Sequence, residues 1–459
     1  MKSEDTKVDT IYVRQKNKLT KKEWYWILYD VGNSAFTMVA CSLFALYFQL
    51  LCDDYGISTT LGDSYWAYAT ATVTVIAVLL GPLVGALSDM KGFRKPIFMT
   101  FTILGVLGCV ALGLPMYYIL WLVIYVVTKV VYSGALMIYD SMLGDTTSDD
   151  KMDKVSSYGY ALGYIGSVIP FIIGVAIVAL GFGDTMEESL GVKTGYIIAF
   201  AINALWWLVF SIPLFRTYKQ KNFVPKHKHV IGDSYKRIFQ TFKLARKNYA
   251  GVFLFLIAFF FYIDSVYSII DLAIKIAGSL GDGTLDSSQA LIVLIVVQFI
   301  AFPSAIAISK LSKKFNTEVM IGVCIIGYLF ITVFAVFISA MWMFWFMAVC
   351  IGLFQGGIQS LSRSYFSQII PRQKSGELFG LYDVFGKGAS FLGAFLFGVI
   401  NSATGSANLG LIPLSILVFI GFIFFILAVR YNRRHAAEIA EFRKELPENK
   451  KENNLDYMY

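Results

Sequence analysis

Residues Gly352–Lys387 read GLFQGGIQSLSRSYFSQIIPRQKSGELFGLYDVFGK. The stretch reads as the end of one apolar helix, a short basic turn and the start of another. Both helices carry groups that a membrane rejects: Gln355, Gln359 and Arg363 on the first, Glu377, Asp383 and Lys387 on the second. A charge at bilayer depth costs roughly 2.5–3.5 kcal/mol on insertion scales, so such groups face a cavity or a partner. The rest of the chain has to supply that cavity.

Of the 459 residues, 57% are hydrophobic and 15% charged, whereas a soluble domain carries roughly 25% charged residues. The chain is therefore read as a polytopic membrane protein. Apolar stretches of bilayer-spanning length recur near 24–50, 63–88, 95–114, 117–142, 154–180, 194–215, 248–275, 287–311, 317–339, 342–370, 376–400 and 408–431. They predict an all-α membrane protein of twelve transmembrane helices in two six-helix bundles. The expected organisation is an N-terminal tail (1–23), a first bundle (24–215), a basic linker (216–247), a second bundle (248–431) and a C-terminal tail (432–459).

Lysine and arginine outnumber acids 39 to 31, and their placement explains the excess without nucleic acid. One set of loops holds Lys91, Arg94 and Lys95, then Lys151 and Lys154, then Lys310, Lys313 and Lys314, then Arg372 and Lys374; the alternate loops hold Asp53, Asp54, Glu187 and Glu188. By the positive-inside rule both termini are expected in the cytoplasm. Within the linker, SYKRIFQTFKLARKN either lies along the membrane surface or is solvated. The tail from Glu438 is charged and expected to be mobile. No cleavable signal peptide is expected.

The five cysteines are scattered without paired spacing, so neither a disulfide nor a metal site is expected. His227, His229 and His435 fall in polar segments. Any proton coupling would then use carboxylates: Asp30, Asp140, Asp264 or Asp383.

Internal duplication supports the two-bundle reading. GPLVGALSDMKGFRK after the second span is weakly matched by FPSAIAISKLSKKF after the eighth, and YGYALGYIG in the fifth by FGLYDVFGK in the eleventh. The first helix of each three-helix repeat has a polar stripe at helical spacing. Asp30, Asn33, Ser34 and Thr37 form the first; Lys129, Tyr132, Ser133 and Asp140 the second; Asp264, Tyr267, Asp271 and Lys275 the third; Gln355, Gln359 and Ser362 the fourth. These stripes point to a shared cavity whose expected lining is Asp30, Asn33, Lys129, Tyr132, Asp264, Tyr267, Gln355 and Gln359. An ammonium, a carboxylate and tyrosines would suit a small zwitterion. Alternatively, Lys129 and Asp264 pair with each other as a latch, or the stripes hold helices together. Arg363 is expected to meet Glu377, with Asp383 a further candidate, as an inner-gate ion pair.

GALSDMKGFRK resembles the loop between helices two and three of the major facilitator superfamily, with Gly85, Asp89, Gly92, Arg94 and Lys95 matching and Met90 replacing a basic residue. Gly85 would allow close helix packing, and Asp89 would cap or bridge a neighbouring helix end. The resemblance makes Gly85, Asp89 and Arg94 a conformational latch; the second-half copy lacks the acid. LYDVGNSAF in span one, SSYGYALGYIG, and the stretch quoted at the outset resemble the vacuole-effluxer-like branch of that superfamily, whose best-known members are autophagy-related fungal amino-acid effluxers. Val31 stands where the branch has a tryptophan. The resemblance implies a secondary or facilitative transporter exporting amino acids or similar solutes. Its partners would be a small polar solute, protons and the bilayer, and it would act as a monomer. Short loops and compact length favour a bacterial plasma membrane.

Other classes fit less well. There is no HExxH, P-loop, GxSxG or Cys/His cluster, so no enzyme is expected. Charge rings and filter glycines of a channel are missing. A receptor or lipid-moving protein on the same fold is the remaining rival. Among transporters, carriers of betaines, small peptides or drugs are the alternatives.

Overall fold

A computed structural model describes residues 18–180, 186–225, 250–278, 287–405 and 407–444. Among the described residues, twelve long helices follow one another: α1 (Lys21–Asp54), α2 (Thr59–Ser88), α3 (Arg94–Ala111), α4 (Tyr118–Ser141), α5 (Asp149–Leu180), α6 (Met186–Thr217), α7 (Ala250–Gly278), α8 (Ser287–Phe315), α9 (Thr317–Val336), α10 (Met341–Ile369), α11 (Ser375–Thr404) and α12 (Ile412–Arg434). Eleven of the described helical stretches are long and apolar enough to cross a membrane. The remaining long helix is α11, which carries Glu377, Asp383 and Lys387 in its first half.

Local chemistry explains several boundaries. Thr20 and Glu23 form a capping box that starts α1, with Thr20 N–H donating to Glu23 Oε2 at 2.6 Å. At Ser42 the α1 backbone leaves helical geometry, and the Ser42 hydroxyl donates to the Met38 carbonyl at 2.7 Å. Gly92 turns the chain between α2 and α3 at φ 81, a value that glycine tolerates best. Prolines inside α2 (Pro82) and α8 (Pro303) remove a helical hydrogen bond at matching places of the two halves.

The first six helices pack around an aromatic core that includes Phe36, Phe44, Tyr47, Trp121, Phe200 and Trp207. The last six pack around Phe255, Phe259, Tyr262, Phe366 and Tyr382, with Phe259 stacked on Tyr382 at 4.0 Å between centroids. Val123, Val127, Leu205, Phe330, Phe395 and Phe419 point outward, as surroundings of hydrocarbon require. The halves meet along two seams, α2 against α11 and α5 against α8 and α10.

The tail departs from expectation. Ala436–Lys444 is helical, and Arg443 donates to Asp149 at 2.7 Å, so the described part of the tail, to Lys444, is docked. The sequence SYKRIFQTFKLARKN lies outside the described residues.

Candidate functional site

The site is built from α10 outward. Gly352, Gly356 and Gly357 leave no side chain on one side of this helix, so α8 lies close against it. One and a half turns on, Arg363 projects from the second half into a socket of the first. Its Nη1 donates to Asp140 Oδ1 at 2.9 Å, its Nη2 to Asp30 Oδ2 at 3.3 Å and to the Ser156 carbonyl at 2.9 Å, and its Nε to Ser156 Oγ at 3.0 Å. The guanidinium also sits 4.2 Å from the Tyr160 ring and 4.8 Å from Trp26. Gly159 makes the approach possible: a Cβ there would stand 2.7 Å from Asp30 Oδ2.

The ion pair expected between Arg363 and Glu377 or Asp383 is therefore replaced. Arg363 takes Asp140 and Asp30 from the first half, while Asp383 pairs with Lys387 one turn along α11. Glu377 contributes its backbone N–H instead, which donates to Asp89.

That donation belongs to the first of the two seams between the halves. At the α2–α11 seam, Asp89 accepts from the N–H of Gly376 at 2.7 Å and of Glu377 at 2.8 Å, capping the first turn of α11. Arg94 holds Asp89 and also donates to Asp145 at 2.9 Å, and Asp145 accepts from Tyr218 at 2.5 Å. Val224 N–H donates to the Asp89 carbonyl at 2.8 Å, so the chain leaving α6 braces the loop. Gly85 faces Gly376 so closely that a Cβ at Gly85 would strike the Gly376 carbonyl. Burial pushes the Asp89 carboxyl up to about 6, against the pull of Arg94 and the two amides.

At the α5–α8 seam the roles are exchanged. Asp153, on α5, accepts from Ser312 at 2.9 Å, Thr317 at 2.5 Å, Gln368 at 3.0 Å and Ser364, all in the second half. The half-repeat makes the exchange plain: with Pro82 set on Pro303 and Ser88 on Ser309, Asp89 falls opposite Lys310, and Asp153 falls opposite Lys374. One seam keeps its carboxylate on the interhelical turn; the other keeps it on the facing helix.

Between the seams lies a polar interior. Tyr132 bonds Thr37 at 2.6 Å, and Lys129 Nζ lies 5.6 Å from the Tyr132 ring and 5.8 Å from Phe36. Lys387 of α11 bonds Ser133 of α4, one turn beyond Lys129, as well as Asp383. Tyr164 donates to Gln359 at 2.9 Å across the halves. Gln355 and Asn33 are buried, each with a side-chain oxygen lacking a hydrogen-bond partner among the described residues. Asp264 is not brought to this group: it is fully buried in helix packing, accepting from Gly393 N–H at 3.0 Å, with Ser268 beside it. Tyr267 is partly buried and acts electrostatically on Tyr160 and Tyr164 of the first half. The side chains of Asp271 and Lys275 lie outside the described residues.

Sequence reasoning did not place Asp153 or Tyr160 in the site, and it set Ser133 on a polar stripe and Lys387 among the buried charges without including either in the expected lining. The Asp383–Lys387 spacing of four was a usable signal for a pair on one helix face. Asp153 gave none, since it follows Asp149, Asp150 and Lys151 and looks like loop charge.

By its fold and by its kinship, the chain is a membrane transporter of the major facilitator kind. Solved structures agree on the fold: the human organic anion transporter MFSD10 (TETRAN) matches with TM-score 0.67 and 11% identity over 89% of this chain and 100% of that one. FucP, a major facilitator transporter in the outward conformation, matches with TM-score 0.64 and 14% identity over 88% and 97%. Residues 56–438 match the family model described as vacuole effluxer Atg22 like, and the chain belongs to that family. The uncharacterized MFS-type transporter YxiO of Bacillus subtilis is 37% identical over 409 residues, 88% of this chain and 94% of the relative. Autophagy-related protein 22 of Vanderwaltozyma polyspora is 26% identical over 406 residues, 76% and 74% of the two chains. Autophagy-related protein 22-1 of Penicillium rubens is longer, and the chain spans about half its length (47%).

Proposed function

We propose that the protein moves amino acids or similar small zwitterions by alternating access, with residues 24–215 and 248–431 rocking as two bodies about the polar interior. The observation that carries this reading is the Arg363 socket, because a buried charge shared between the halves must be re-partnered or hydrated whenever they separate. With both seams engaged, the conformation is closed at the basic face. The basic face and both termini belong in the cytoplasm by the distribution of lysine and arginine, in a bacterial plasma membrane as the kinship to the Bacillus protein supports. The working unit is a monomer. Protons are the proposed co-substrate: Arg363 meets two carboxylates, so the socket has one more acid than base and a place for one proton.

Counterflow in proteoliposomes tests the reading. Vesicles loaded with a mixed amino-acid pool should accumulate trace labelled amino acids, and accumulation should fail in Arg363→Ala. No accumulation from any of the pool by inserted, folded protein would end the amino-acid reading and turn the search to betaines, small peptides and other polar metabolites.

A further inference from the structure

The Lys387–Asp383 pair differs from the Arg363 socket in one respect that matters for ligands. The Lys387 and Asp383 side chains are 28% and 20% exposed, whereas Arg363 is 1% exposed. The pair is thus reachable, yet it sits between helices: Lys387 also bonds Ser133 of α4, and the Asp383 carboxylate stands near Gly81 of α2. Lys129, one helical turn before Ser133 on α4, sets a second ammonium against the Phe36 and Tyr132 rings.

We propose that Lys387 and Asp383 form the substrate site and that their ion pair occupies the place of a zwitterion when none is bound. This rests on the zwitterion reading above and assigns its residues. An ammonium and a carboxylate joined to each other present the same two charges that an amino acid would bring. On binding, the ligand carboxylate takes Lys387 and the ligand ammonium takes Asp383. Each charge exchanges one partner for another, so no desolvation beyond that of the ligand is incurred and no uncompensated charge is left. A ligand with only one of the two charges would break the pair and satisfy half of it, which makes the site selective for zwitterions over simple acids and amines. Because Ser133 belongs to the first half and Lys387 to the second, the exchange also alters a contact between the moving bodies.

The test uses the full-length protein in proteoliposomes. The probe is the amino acid that the wild type accumulates most from a pool of all the common ones, with its deaminated acid and its decarboxylated amine as competitors. In the wild type both competitors should be weak. Asp383→Asn removes the carboxylate that faces Lys387, and the acid should improve relative to the amino acid by about tenfold or more, the size of one charge-assisted hydrogen bond. Lys387→Gln should favour the amine to a similar degree. A pair that merely steadies α11 would lower all three ligands in the same proportion in both variants, and that result overturns the proposal. If either single variant fails to insert, the charge-balanced Asp383→Asn/Lys387→Gln protein replaces it. Loss of discrimination among the three ligands supports the site, and retained preference for the zwitterion overturns it. A wild type that moves no amino acid would instead defeat the zwitterion reading itself.

Discussion

Arg363 of α10 donates to Asp140 of α4 at 2.9 Å, joining two helices that belong to opposite halves. The same guanidinium reaches Asp30 of α1 at 3.3 Å. A double-mutant cycle on Arg363 and Asp140, read from the labelling rate of a cysteine placed in the interior near the basic face, should give a coupling of about 1–3 kcal/mol. The parallel cycle with Glu377 should give none. Arg363→Lys should rescue poorly, because an ammonium cannot serve Asp140, Asp30 and Ser156 from one plane.

The Asp89 latch should respond to acid. In the closed arrangement its carboxyl stands at about 6, and its ordinary value is 3.8. Between these values the closed form binds a proton that a solvated Asp89 would not, so lowering the pH favours closure. That advantage is fully present below about 4 and is lost as the pH rises through about 6. Labelling at the basic face should therefore speed up between pH 5 and 7 in the wild type, and Asp89→Asn should remove that rise.

At the other seam, Asp153 depends on neutral donors. Asp153→Ala should raise labelling at the basic face several-fold, in line with the loss of two or more hydrogen bonds to a charged group. Ser312→Ala with Thr317→Ala should reproduce much of that effect from the opposite half, and combining all three should add little. Full additivity would mean that the two sides act separately.

Gly85 predicts a steric effect. In Gly85→Val the side chain would meet the Gly376 carbonyl, so the α2–α11 seam could not close. Counterflow should fall at least about tenfold, as a small misfit at a packed helix contact is enough to cost a large part of an equilibrium. Insertion and thermal stability of the separated halves should change little, which a melting assay in detergent can check.

Hydropathy made the architecture legible because lipid forces every span to be long, apolar and internally bonded. The Asp89–Arg94 pair and the capping role of Asp89 were legible as well, since the two residues stand five positions apart around one turn. Pairing across the halves was not. Arg363 stands 223 positions from Asp140, and nothing local to either distinguishes it from Glu377 as the partner. Asp264 shows the opposite failure. Its place on a polar stripe suggested a cavity, but Asp264 itself packs against Gly393, whose small size admits it and whose backbone N–H donates to it.

The approach of Gly85 to Gly376 is a fit of backbone to backbone, with no side chain to stretch or swing between them. A contact of that kind has no half-made form. Small separations lose the packing and the Asp89 cap together while still excluding water, so intermediate openings are poor resting places. The molecule should act as a toggle more than as a spring: ligands and acid would change the odds of its two positions and leave the positions themselves where the backbone puts them.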